Sequence, residues 1–169
     1  SPMSRGLGDV YKRQCLNVGC IPSKALLDSS HRFYEANKNL SDHGIDIKDM
    51  KLDLSAMMKR KDDIVSKLTG GISGLFAANK VDSISGSGKV VGSNLVEVTK
   101  SDGSTEELEA KNIIIATGSL PIEIPAGKFG DKIVDSTGAL AFNKVPKSLG
   151  IVGANNRSRA WKRMVQTWL

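Results

Sequence analysis

The sequence predicts an α/β fold, and three observations from its 169 residues carry that prediction. Apolar residues recur at three-to-four spacing from about Ser55 to Phe76, the period of an amphipathic helix. Short β-rich runs broken by Gly, Asn, Asp and Ser follow between Val81 and Ala110, the rhythm of a small β-meander. Asn112-Ile-Ile-Ile-Ala116 then has the continuous β-branched character of a buried strand in a parallel sheet. A chain of this length holds one ordinary domain.

Taken in order, the first element is a helix from about Cys20 to Asn37, with Ala25, Leu26, Phe33 and Tyr34 on it and a polar outer face. The second starts near Ser55 and places Met57, Met58, Lys61, Ile64, Val65, Leu68, Ile72, Leu75 and Phe76 along one side. Met57-Met58 reads as core filling rather than a cofactor contact. Lys59-Arg60-Lys61, followed by Asp62 and Asp63, reads as a solvated face. Strands are expected at Val81 to Ile84, Lys89 to Val91 and Leu95 to Thr99, with a hairpin at Ser101-Asp-Gly103 returning through Glu107 to Ala110. Thr117-Gly118-Ser119 ends the Asn112–Ala116 strand. A glycine turn at a strand end is where an α/β fold places a ligand, although Thr-Gly-Ser alone fits an ordinary turn as well. Pro121 and Pro125 punctuate the exit loop, and Leu149 to Ala154 reads as one more strand.

Cys15 and Cys20, in Cys15-Leu-Asn-Val-Gly-Cys20-Ile-Pro-Ser-Lys24, are the only two cysteines. Thiols near a helix N-terminus are expected to have lowered pKa values, and thiolate is the species that exchanges with disulfides. A disulfide needs Cα atoms roughly 4.4–6.8 Å apart. Five residues of regular helix rise about 7.5 Å. A redox pair here therefore demands a distorted backbone, for which Gly19 supplies freedom. A structural disulfide and two unrelated buried thiols remain open readings on spacing alone. Zinc is weaker, because a structural site takes four ligands and the only histidines, His31 and His43, read as surface residues. No metal site is expected.

The run Cys15-Leu-Asn-Val-Gly-Cys-Ile-Pro-Ser-Lys-Ala-Leu-Leu27 resembles the active-site segment of the flavin-dependent pyridine nucleotide-disulfide oxidoreductases, most of all their dihydrolipoamide dehydrogenase branch. Leu68-Thr-Gly-Gly-Ile72, Gly86-Ser-Gly88-Lys89, Ile113-Ile-Ile-Ala-Thr-Gly-Ser119 and Ser136-Thr-Gly-Ala-Leu140 extend the resemblance to about residue 154. It implies an FAD/NAD(P)-binding Rossmann-like fold. Residues 15–150 would be an FAD-binding domain lacking its first βαβ unit, and residues 151–169 the start of an NAD-binding domain. It also implies that Cys15 faces a dithiol substrate and Cys20 the flavin, and that Lys24, Gly88, Thr117, Gly118 and Ser119 approach FAD. The partner implied is the lipoyl domain of a 2-oxoacid dehydrogenase acyltransferase, the full-length protein is a homodimer, and the location is cytoplasmic or the mitochondrial matrix. A sister reductase of mercuric or glutathione type is the neighbouring alternative.

The net charge of +6 would suit nucleic acid or a membrane, and a basic binding module is a third reading. The excess sits at the ends, however. Residues 1–14 carry Arg5, Lys12 and Arg13 against Asp9, and residues 155–169 carry Arg157, Arg159, Lys162 and Arg163 against no acid. The middle is neutral, so neither nucleic acid nor membrane is expected as a partner.

Both ends depart from the resemblance. Residues 1–14 read as a non-native or divergent leader, with Lys12-Arg13-Gln14 where two glycines and a threonine are expected. Gly6-Leu-Gly8 is too short and has no preceding strand to make a phosphate loop. Gly153 should open a Gly-x-Gly-x-x-Gly fingerprint for NAD, yet Asn155 stands at the second glycine. Codons for Asn156 to Met164, read one base later, can spell Ile-Gly-Leu-Glu-Leu-Gly-Ser-Val-Trp, the continuation the resemblance leads one to expect. A frame-shift after Ala154 is therefore expected, in a fragment inactive alone, with exposed apolar surface and without stoichiometric flavin.

Overall fold

A computed structural model of the chain describes residues 5–7, 13–117, 121–125 and 127–152. Its frame is a pair of packed helices, α1 (Cys20–Lys38) and α2 (Leu54–Ala78), followed by strands. Pro22 lies buried in the first turn of α1, where a missing N–H leaves no helical bond unmade. A short 3₁₀ turn at Leu40–His43 follows α1. At the start of α2, the Asp53 carboxylate accepts from the Ala56 amide at 3.0 Å and satisfies one of the free donors of the first turn.

The helices meet through Leu26 of α1 and Met57 of α2, and Leu140 closes the same core from far along the chain. Leu27, Leu52, Leu54, Met58 and Ala139 pack around them, so the Met57-Met58 pair does fill core. Leu140 reaches this core at the end of the one-turn helix α3 (Ser136–Ala139), capped by the Asp135 carboxylate, which accepts from the Gly138 amide at 2.7 Å.

The meander forms as expected. Strands β3 (Ser87–Gly92), β4 (Leu95–Thr99) and β5 (Thr105–Glu109) make an antiparallel sheet in sequence order. Val96 stands opposite Val90 and Leu108, and Val96, Val98 and Leu108 form a second core against which Ile84 and Ile113 pack. The β4–β5 turn needs a left-handed residue, and Gly103 takes it at φ +82°. Asp102 accepts there from both the amide and the hydroxyl of Ser104, which holds its carboxyl below the ordinary range. Gly86, at φ +159°, leads into β3 so close to β4 that a Cβ would lie 2.6 Å from the Thr99 carbonyl oxygen. A separate parallel pair joins β1 (Arg5–Leu7) to β2 (Asp82–Ile84).

Three expectations change. Residues 112–116 enter no ladder among the described residues; Ile114 is 89 % exposed and Ile115 75 % exposed. A parallel strand is buried by strands and helices on both sides, whereas here Ile113 packs on the meander core and Ile114 and Ile115 stay exposed. Residues 149–152 likewise form no strand, with Val152 exposed, while Gly153 and the segment read as frame-shifted lie outside the described residues. The cluster Lys59-Arg60-Lys61 is only partly a solvated face. Lys59 pairs outward with Asp63 at 2.8 Å, but Arg60 reaches α1 and the Lys61 side chain is buried, donating to the Leu140 carbonyl at 3.0 Å. Lys61 follows Met57 by one helical turn, so it shares the core-facing side.

Candidate redox dithiol site

The cysteine segment folds with the distortion that its spacing demands. Cys15 sits in a single π-helical turn, Arg13–Asn17, the chain bends at residues 18–19, and Cys20 is the first residue of α1. A π turn widens the backbone and is common where function re-aims a side chain. Gly19 is buried at the joint, and its carbonyl takes both the amide and the hydroxyl of Ser23, at 3.1 and 2.6 Å. That tie fixes the start of α1.

The result is a vicinal dithiol. Both cysteines are exposed, and the Cys15 thiol is in hydrogen-bond contact with Cys20. This contact, helped by partial desolvation and by the charge Cys20 would carry, raises the Cys15 pKa above the ordinary thiol value. The lowering expected from the helix start is present but outweighed. The Cys20 backbone amide and the Lys24 ammonium both favour the Cys15 thiolate, more weakly than the neighbouring thiol opposes it. Lys24, exposed one turn into α1, thus acts electrostatically on Cys15.

The remaining candidates lie apart from this trio in sequence. Gly88 is in β3, paired with Val98, rather than in a turn, because the ladder begins one residue earlier at Ser87. Thr117 is exposed at the end of the unpaired isoleucine run, and Gly118, Ser119 and Gly153 fall outside the described residues. Two exposed thiols and an ammonium suit the redox-active end of a flavin ring. Among the described residues no glycine-rich strand-to-helix turn is available for a pyrophosphate. No group of three or more His, Cys, Asp or Glu that could hold a metal ion occurs among them either. No helix of the described residues is long and apolar enough to cross a membrane.

Arg60 is a tie to the cysteine-bearing helix that spacing did not disclose. It donates to the Ala25 carbonyl and the Ser29 hydroxyl at 3.1 and 3.2 Å, and pairs with Asp28 at 2.8 Å. Its position three residues after Met57 was the available signal.

Two thiols in contact at a helix start can close to a disulfide and reopen, the chemistry of a thiol–disulfide oxidoreductase. Comparison with known proteins agrees with that class: the sequence pattern described as pyridine nucleotide-disulphide oxidoreductase matches residues 7–156, and the chain belongs to this family. It is 52% identical over 140 residues to a mitochondrial dihydrolipoyl dehydrogenase of Dictyostelium discoideum, covering 82% of this chain and 29% of the relative. Its identity to the mitochondrial dihydrolipoyl dehydrogenase of Mus musculus is 46% over 156 residues, covering 89% and 31%. The fold is similar to that of the HOCl-induced flavoprotein disulfide reductase RclA from Escherichia coli, solved as a Cu(II) complex. There the TM-score is 0.73 at 22% identity, over 91% of this chain and 31% of that one. The chain thus spans about three-tenths of the length of the curated relatives it matches.

Proposed function

We propose that this chain is part of a dihydrolipoyl dehydrogenase, an FAD-dependent and NAD-linked disulfide oxidoreductase, and that Cys15 and Cys20 are its redox-active pair. The contact between the two thiols at the start of α1 carries the reading. Identity near 50% to relatives of that name supports the choice of substrate.

In the oxidised state a thiolate of a dihydrolipoyl group attacks Cys15 Sγ, and the Cys15–Cys20 bond breaks with Cys20 leaving as thiolate. The second substrate thiolate attacks the mixed disulfide, closes the lipoyl ring and leaves both electrons on the two cysteines. Lys24 stabilises thiolate at this step, and the Cys20 amide does so at Cys15. FAD, when bound, supplies the electron acceptor that side chains lack. Lys24, Gly88, Thr117, Gly118 and Ser119 are the residues we assign to holding it, with Gly153 at the start of the NAD site. The same reading makes the donor a lipoyl domain of a 2-oxoacid dehydrogenase complex, the intact enzyme a homodimer and, following the relatives' names, the mitochondrial matrix its location.

Thiol counting by alkylation and mass spectrometry tests the assignment. The oxidised chain is expected to hold an intramolecular Cys15–Cys20 disulfide that dihydrolipoamide opens. In Cys20→Ser, a mixed disulfide with oxidised lipoamide should accumulate on Cys15, while Cys15→Ser should trap little on Cys20. Oxidation that yields only intermolecular disulfides would overturn the reading.

A further inference from the structure

We infer that Arg60 is a positioning residue for the cysteine pair, setting the Cys15–Cys20 thiol–disulfide equilibrium through its grip on α1. The inference rests on the redox role proposed for these cysteines. Its basis is that α2 touches both halves of the pair: the π turn bearing Cys15 and the helix bearing Cys20 each pack on α2. The separation of the two sulfurs therefore depends on how α1 is seated on that common support.

Two fastenings seat it. Leu26 packs on Met57 in the shared core, which resists separation but permits sliding, because apolar packing is non-directional. Arg60, one turn further along α2, supplies direction. Its guanidinium donates to the Ala25 carbonyl, the Ser29 hydroxyl and the Asp28 carboxylate, and thereby fixes α1 one to two turns from Cys20. Ser29 itself donates to the Ala25 carbonyl at 3.2 Å and Asp28 also pairs with Arg32 at 3.3 Å, so the three groups form one network. At about half exposure the Arg60–Asp28 ion pair adds little energy alone. A planar fork held at three points is specific in geometry, which a lysine cannot reproduce. A disulfide tolerates only a narrow range of Cα separations, so a small slide of α1 strains the bond more than the dithiol.

The test is the equilibrium of the full chain with dithiothreitol. The Cys15–Cys20 disulfide takes two electrons and two protons from the reagent, which closes to its own cyclic disulfide. Arg60→Met is expected to shift this equilibrium about fivefold or more toward the protein dithiol, with Arg60→Lys recovering only part. Lys59→Met, which removes an equal charge from the outward pair with Asp63, should leave it unchanged. Melting curves of all variants separate position from stability. An Arg60→Met chain that melts lower yet keeps the wild-type equilibrium overturns the inference, as does a Lys59→Met shift of equal size. Failure of the wild-type chain to form the intramolecular disulfide would instead overturn the redox assignment.

Discussion

At the scale of single residues, the chemistry of Cys15 is decided by its neighbour. The thiol contact raises the Cys15 pKa against the opposing pull of the Cys20 amide and Lys24. In Cys20→Ala that contact is gone and the opposing pull remains, so the Cys15 pH profile for alkylation by iodoacetamide should move to lower pH. A profile that stays put or moves upward would contradict the assigned cause. The sign for stability follows from linkage: the folded chain binds this proton more tightly than the unfolded chain does. The contribution is present below the unfolded thiol pKa and is lost as pH rises through the higher folded value. Lys61 is the second residue whose surroundings matter more than its type. Its ammonium serves a backbone carbonyl beside the core, and Lys61→Ala should cost on the order of 1–3 kcal/mol in urea unfolding, through the acceptor left short of its donor.

Among the elements, α1, α2 and the meander were legible because periodicity and turn chemistry are local. The hairpin at Ser101-Asp-Gly103 could be read directly, since only a residue tolerant of positive φ completes that turn. The π turn at Arg13–Asn17 was visible only as a requirement, because no propensity encodes it; the need to bring two sulfurs together does. Glycine substitutions should separate two kinds of position. Gly103→Ala meets open space and should cost about 1 kcal/mol from φ alone. Gly86→Ala also drives a methyl into the backbone of Thr99, and a larger loss, on the order of 2–3 kcal/mol, is expected in thermal or urea melts. Equal losses at the two sites would show that steric approach, as opposed to φ, is unimportant at Gly86.

Over the whole molecule, the long-range tie is Leu140, which brings the end of α3 onto the helix pair. Leu140→Ala should destabilise by about 2–5 kcal/mol and raise hydrogen exchange in α1 and α3 together. Exchange rising in α3 alone would mean that the segment is not part of the same cooperative unit. The exposed isoleucines mark the other whole-molecule property. Ile114 and Ile115 form an apolar run without a ladder partner among the described residues, a recognised aggregation hazard. Ile114→Lys with Ile115→Thr should therefore lower light scattering at high protein concentration while leaving the melting transition of the meander unchanged.

The α/β character, the two helices, the meander and the chemistry of the cysteine segment can all be read from the order of residues. These depend on period, turn residues and reactive groups a few positions apart. Only the folded chain shows that the Cys15 thiol pKa is raised, that Arg60 grips α1 and Lys61 the Leu140 carbonyl, and that residues 112–116 enter no ladder among the described residues. Each of those outcomes depends on which distant or refolded groups come within hydrogen-bond reach, and electrostatics and strand pairing act through space, where sequence separation gives no measure of distance.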